Sequence, residues 1–238
     1  MIKFFSILFV STLFFFNSQA EVINKISIEG NNRVSEETIK LYGEIELNKD
    51  YQEKDIDQIL KNLYSTEFFE DVKINLRANT LLIRLKEYPV INQLVILGEK
   101  TNNYKEQIRK TIKSKEKRSF IKSNLAKDIE LIKNLYATLG YNFTKVEANF
   151  KKIDDTRLDL ILKIERGERT KISKISFLGN DNIRSSRLRD VIASEEDKFW
   201  KIITKNTNLT ERLVQLDKRL LSNYYKSLGF YDIKITSN

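Results

Sequence analysis

Few side chains in this sequence could do chemistry. Among its 238 residues there is no His and no Cys. That excludes an imidazole base, a thiolate nucleophile, a disulfide and a His- or Cys-ligated metal centre. Carboxylates are what remain for acid–base work. Two clusters stand out, Asp154-Asp155 and Glu195-Glu196-Asp197. Both fall where turns and helix caps are expected, so their spacing reads as loop chemistry. No catalytic, cofactor-binding or metal-binding residue is assigned, and no cofactor is expected. The strongest charge feature is basic. Residues 105–127 hold nine Lys or Arg and two Glu in a chain of net charge +9. Such a run is a solvated face, or a contact surface for anionic lipid heads or an acidic partner. A nucleic-acid patch would suit the charge but not the N-terminus, and no nucleic acid is expected.

That N-terminus has Lys3, an apolar run from Phe4 to Phe16, and then Ser18-Gln19-Ala20. A basic start, a short apolar core and a small-x-small ending make a secretory signal peptide over 1–20, cleaved between Ala20 and Glu21. The run is ~13 residues, whereas a membrane span needs roughly 20. The mature chain is therefore expected to be exported. The full sequence's 41% hydrophobic share suits a folded protein.

The elements that would position any site are written in repeats. "ISIEGNN" at 26–32 returns as "LVILGEK" at 94–100 and "ISFLGND" at 175–181. Each is followed by a second shared phrase: "LYSTEFFEDVKINL" at 63–76, "LYATLGYNFTKVEANF" at 135–150, "YYKSLGFYDIKITS" at 224–237. Within a unit the pattern is β-α-α-β-β. "VINKISIEG" alternates as a half-buried strand does, and Gly30 ends it. Ser35 caps a short helix with Glu36 and Glu37 in its first turn. Asp50 with Glu53 has the spacing of a capping box for a second helix, as does Asn208 with Glu211 in the third unit. The second helix carries a core stripe: Ile56, Ile59, Leu60, Leu63 and Tyr64 in unit one. Leu125, Ile129, Ile132, Tyr136 and Leu139 repeat it, then Leu213, Leu216, Leu220 and Tyr224. Gly140 and Gly229 sit where a left-handed helix end favours glycine, with Tyr141 and Phe230 plugging the core. Unit one has Phe68-Phe69 there and no glycine.

The expected fold class is thus α+β, in tandem modules of a three-stranded mixed sheet and two helices. The expected divisions are the signal peptide 1–20, module one 21–88, module two 89–166 and module three 167–238. Tyr88-Pro89 and Arg166-Gly167 form the joints. Module three has one strand-like segment after Phe230 and is expected to lack its last strand, as part of a longer protein.

A signal peptide before β-α-α-β-β modules resembles the polypeptide-transport-associated (POTRA) repeats of outer-membrane assembly factors. The segments "ISIEGNNRV", "EYPVINQLVILG", "IERGERTKISKISFLGN", "RLRDVI" and "LLSNYYKSLGFYDIKI" carry the likeness in order. The resemblance implies a periplasmic arm that binds unfolded outer-membrane proteins by strand addition to a sheet edge. It also implies scaffolding of accessory lipoproteins, with a β-barrel in the full protein and an outer-membrane location. The usual edge is each module's second strand: Asp71–Leu76, Lys145–Phe150 and the third-module strand Asp232, Ile233, Lys234, Ile235 and Thr236. The third is the expected client site. Alternatives are the arm of a translocation-and-assembly or two-partner-secretion transporter, and an exported enzyme.

Overall fold

The structure, a computed structural model, describes residues 23–77, 79–198 and 205–237. The expected signal peptide and the expected Ala20–Glu21 cleavage site lie outside the described residues. The chain divides into two compact units, 1–87 and 88–238.

Unit one contains β1 (Lys25–Glu29), α1 (Glu36–Gly43), α2 (Glu53–Ser65), β2 (Phe69–Arg77) and β3 (Thr80–Glu87). The strand order is β1-β3-β2, with β3 parallel to β1 and antiparallel to β2. The last strand in sequence is therefore the central one. Ser35 caps α1 as expected, its hydroxyl accepting from the Thr38 N–H at 3.3 Å. For α2 the cap is Gln52 rather than Asp50, and Asp55 rather than Glu53 folds back to accept the Gln52 N–H at 3.0 Å. Ile59 and Leu63 of α2 are buried against Leu81, Ile83 and Leu85 of the central strand. Tyr64, expected in the core, is 44% exposed.

Unit two repeats the plan with β4 (Val90–Leu97), α3 (Asn102–Thr111), α4 (Lys122–Thr138), β5 (Lys145–Lys152) and β6 (Arg157–Glu165). The sheet order is β4-β6-β5, and Ile132 and Tyr136 of α4 cover Leu160 and Leu162. Gly140 takes a left-handed conformation with φ +90°, and the Tyr141 N–H returns to the Tyr136 carbonyl at 3.0 Å. Where unit one has no glycine, Glu67 accepts the left-handed conformation instead, φ +58°. Phe68, not Phe69, thus stands in the place of Tyr141.

The repeated glycine has a steric cause. A Cβ on Gly30 would lie 2.1 Å from the Leu85 carbonyl oxygen, and one on Gly98 2.0 Å from that of Ile164. Both glycines also have positive φ, +87° and +84°. The shared phrase marks where the first strand's end meets the central strand's backbone.

The remainder of unit two holds α5 (Ser185–Val191), a 3₁₀ turn (Lys205–Thr207) and α6 (Glu211–Ser227). The α6 cap is Thr210, not Asn208, its hydroxyl accepting from the Leu213 N–H. Here the strand expectations are corrected. Neither the "ISFLGN" segment nor Asp232–Thr236 is a strand; among the described residues, this part has only a lone bridge, Lys171 to Asn208. The reason is topological. Both complete sheets place the unit's last strand between the other two, and no described residue takes that central place. Both flanking segments therefore lack a strand to pair with. Gly179 keeps φ +74° but would have nothing within 4 Å of its Cβ, and Leu178 is 95% exposed.

The joint expected at Arg166-Gly167 lies inside the second unit and is tied down. Thr170 N–H donates to the Gly140 carbonyl at 2.8 Å, Leu209 N–H to Thr170, and Ile172 N–H to Thr207. The Arg166 and Arg169 guanidiniums stand over the Tyr141 ring at 4.8 and 5.2 Å.

Candidate strand-accepting edges

In each three-stranded sheet the second strand, β2 or β5, lies at an edge. Which of its backbone groups face outward follows from the central strand. The N–H and C=O of one strand residue point to the same side. The Leu85 carbonyl points at Gly30, toward β1, so Leu85 does not bond to β2. Its partner Val72 therefore turns its own groups to the open edge, as in a non-hydrogen-bonded antiparallel pair. Ile74 and Leu76 follow by alternation. The Ile164 carbonyl points at Gly98 in the same way, and its partner is Val146. Hence Val146, Ala148 and Phe150 offer donors and acceptors at strand spacing along β5. The intervening Lys145, Glu147, Asn149 and Lys151 bond inward to β6 and project their side chains away from the core. Charged residues on an edge also protect against aggregation.

The two edges differ at one point. The Tyr64 hydroxyl accepts the Val72 N–H at 3.1 Å and reaches Asp71 Oδ1 at 3.5 Å. Among the described residues, no hydroxyl occupies the corresponding place beside β5. Sequence suggests that Tyr64 matches Tyr136, because both follow Asn-Leu. The left-handed residues give a different correspondence. Tyr64 lies three positions before Glu67, and Ala137 three before Gly140. Tyr136 instead matches the buried Leu63.

The residues singled out from sequence fall elsewhere. Asp232–Thr236 is not paired with any strand, and Ile233 and Ile235 are half-buried. Asp154 closes the β5–β6 turn, its carboxyl held down to about 2 by Arg157 and Thr156. Asp155 pairs with Lys152. Glu196 accepts the Ile175 N–H at 3.0 Å and lies 3.6 Å from Arg189; Asp197 lies 2.9 Å from Lys171. These carboxylates hold loops. In the basic run, Arg109 donates to the Leu94 carbonyl at 2.9 Å, while Lys110, Lys113, Lys117, Arg118, Lys122 and Lys127 are exposed.

Two buried acids and a half-buried one carry more of the structure than sequence suggests. Asp128 on α4 is fully buried and accepts the N–H groups of Lys113 and Ser114, both at 2.8 Å. Asp217 on α6, half-buried, does the same for Ala193 and Ser194. Glu99 is buried beside Gly98 and accepts from Tyr136 Oη at 2.5 Å and Thr101 N–H at 2.7 Å, with Arg166 4.0 Å away. Unit one inverts this polarity. There Glu87, two residues past Leu85 as Arg166 is two past Ile164, accepts the N–H groups of Asn32, Arg33 and Val34.

Burial pushes the Glu99 carboxyl up, but the Tyr136 and Thr101 hydrogen bonds and the Arg166 charge outweigh it and hold it below its ordinary 4.5. A depressed carboxyl gives stability that is present above its unfolded value and lost as pH falls through the folded one. The thermal midpoint of the wild-type chain should therefore fall more steeply between about pH 5 and pH 3 than that of Glu99→Gln. Parallel curves would show that Glu99 contributes nothing to acid sensitivity.

The POTRA family, described as "Surface antigen variable number repeat", matches residues 89–167 and 170–238. The chain belongs to this family. Unit one, outside the matched residues, has the same element order and sheet topology, so the fold is a tandem array of POTRA repeats. Over 226 residues the chain is 26% identical to the outer membrane protein assembly factor BamA of Neorickettsia risticii (strain Illinois), covering 95% of this chain and 30% of that protein. Over 216 residues it is 26% identical to BamA of Neisseria meningitidis serogroup B, covering 90% and 27%. The chain thus spans under a third of the length of these relatives. Among solved structures it is similar to BamA POTRA3-5 of Haemophilus influenzae, with TM-score 0.40, 18% identity, and 88% and 86% of the two chains covered. The N-terminal domain of Omp85 from Thermosynechococcus elongatus gives TM-score 0.43, 17% identity, and 90% and 89% covered.

Proposed function

We propose that this chain is the periplasmic arm of an outer-membrane protein assembly factor, exported by removal of residues 1–20. It acts by binding and carries no catalysis. Its clients are unfolded outer-membrane proteins, and it scaffolds accessory lipoproteins of the assembly machinery. The exposed basic run around α3 faces anionic lipid heads or an acidic partner. Three modules, 21–88, 89–166 and 167–238, form the arm. Client strands add to the second strand of a module. The observation that carries this is the row of outward backbone groups at Val146, Ala148 and Phe150, on an edge whose other side is fully paired. Main-chain bonding suits a receptor for many sequences, because it asks little of the client's side chains. At Asp232–Thr236 the same reading applies once a central strand pairs with that segment.

Proline tests the edge. Ala148 points its N–H outward, so Ala148→Pro removes an edge donor without removing a β5–β6 bond. One lost donor and a blocked approach should weaken capture of an alternating apolar–polar peptide from an outer-membrane β-barrel by about tenfold, which is ~1.4 kcal/mol. Ala148→Val keeps the donor and should bind within about twofold of wild type. Circular dichroism establishes that both fold. Equal binding by the two folded variants would rule out strand addition at β5.

A further inference from the structure

The two formed edges are not equivalent, and the difference lies in one hydroxyl. Tyr64 sits on the last turn of α2, 44% exposed, with its hydroxyl at the start of β2. Its oxygen takes the Val72 N–H at 3.1 Å. That is the place where the carbonyl of an added strand would have to come, since neighbouring strands exchange bonds of about 2.9 Å at a spacing of about 4.8 Å. Tyr64 also lines an open groove along α2, about 650 Å³, together with Asp57, Leu60, Lys61 and Ser65. A strand added at Val72 must move Tyr64 aside. Beside β5 the matching helix position is Ala137, which has neither ring nor hydroxyl, and the Val146 donor is left open.

We infer that Tyr64 is a latch on the first module's edge. The chain then carries one open acceptor edge, β5, and one guarded edge, β2. The occupant of both is an extended, alternating apolar–polar segment of an unfolded polypeptide. The argument for it is the spacing of outward-facing donors and acceptors on each edge, and it rests on the strand-addition reading above. At β2 the segment must displace the Tyr64 hydroxyl to bond Val72, so β2 binds more weakly and later than β5. Tyr64 is a specificity-determining residue in this sense: it ranks two otherwise similar edges.

Two reciprocal variants test the latch in the whole chain. Tyr64→Phe keeps the ring and removes the hydroxyl; Ala137→Tyr brings a hydroxyl to β5. The probe is a synthetic peptide of alternating apolar and polar residues from an outer-membrane β-barrel strand, read by residue-resolved amide exchange. Without peptide, Tyr64→Phe should speed exchange at Val72 several-fold and leave Ile83 unchanged. With peptide, affinity measured from protection at Ile74 should rise about threefold to tenfold, the worth of one competing hydrogen bond. In Ala137→Tyr, affinity measured at Ala148 should fall by a similar factor. If Tyr64→Phe frees the Val72 amide and Ala148 gains protection from peptide, but Ile74 affinity stays at its wild-type value, the latch is wrong and strand addition stands. If neither Ile74 nor Ala148 gains protection in any variant, both are wrong. If Tyr64→Phe instead self-associates through β2 in sedimentation, Tyr64 guards against a second copy and the inference about client ranking is overturned.

Discussion

Gly98→Ala should unfold the second module's sheet, whereas Gly179→Ala should cost only about 1–2 kcal/mol. The two glycines look alike in sequence and have similar φ, +84° and +74°. An L-residue held at positive φ costs roughly 1–2 kcal/mol, and both substitutions incur that cost. They part at the second effect. A Cβ at position 98 would lie 2.0 Å from the Ile164 carbonyl oxygen, a backbone atom of the central strand that cannot rotate away. Relief requires β4 and β6 to separate where they pair. The total should exceed about 4 kcal/mol, enough to unfold a small module. At Gly179 nothing lies within 4 Å, so the cost should stay near the backbone strain alone. Gly30→Ala should behave like Gly98→Ala, because the Leu85 carbonyl oxygen is 2.1 Å from the added carbon. Urea unfolding followed by circular dichroism, with amide exchange to separate the modules, measures all three. A Gly98→Ala variant within about 1 kcal/mol of wild type would show that the strand pair yields easily.

Much of this fold is legible in the sequence, for a reason that also sets the limit. Periodicity reports which face of an element is apolar, so β1, the helix stripes and the β5–β6 hairpin can all be read. It does not report which strand is central. The last strand of each repeat is as apolar and regular as the others, yet both flanking strands depend on it. That is why Asp232–Thr236 reads as a strand and is unpaired in the structure. Local caps are less secure. Asp50 and Gln52 both precede α2, and the choice between them depends on where the chain arrives from α1. The latch is hidden for another reason. Glu67 takes a left-handed conformation that sequence assigns to glycine, so aligning the phrases by residue type sets Tyr64 against Tyr136, one position out of place. The clusters of acids were legible as loop chemistry. Asp128 and Asp217 were not, because an acid in the middle of an amphipathic helix ordinarily faces water.

Asp128 should therefore be the most sensitive acid in the chain. It is fully buried, and its two carboxylate oxygens accept the Lys113 and Ser114 N–H groups that follow the end of α3. These donors lie just past the helix and have no intrahelical partner of their own. A charged acceptor contributes about 1.5–3 kcal/mol per hydrogen bond, and a buried donor left alone costs about 1–3 kcal/mol. Asp128→Ala removes both acceptors and leaves the buried Ser114 N–H without one. The expected loss is about 3–4 kcal/mol, or roughly 15 °C or more in the midpoint of a module this size. Asp128→Asn keeps one carbonyl oxygen and should lose about half as much. Asp217→Ala removes the equivalent clamp on Ala193 and Ser194, but Asp217 is only half-buried. Water can replace it there, and the loss should be about 1–2 kcal/mol. The order Asp128→Ala, then Asp128→Asn and Asp217→Ala, is the content of the prediction. Thermal unfolding with exchange at Lys113 and Ser114 reads it directly. If Asp128→Ala melts within about 3 °C of wild type while those two amides stay protected, another group holds the end of α3 and the clamp is not Asp128.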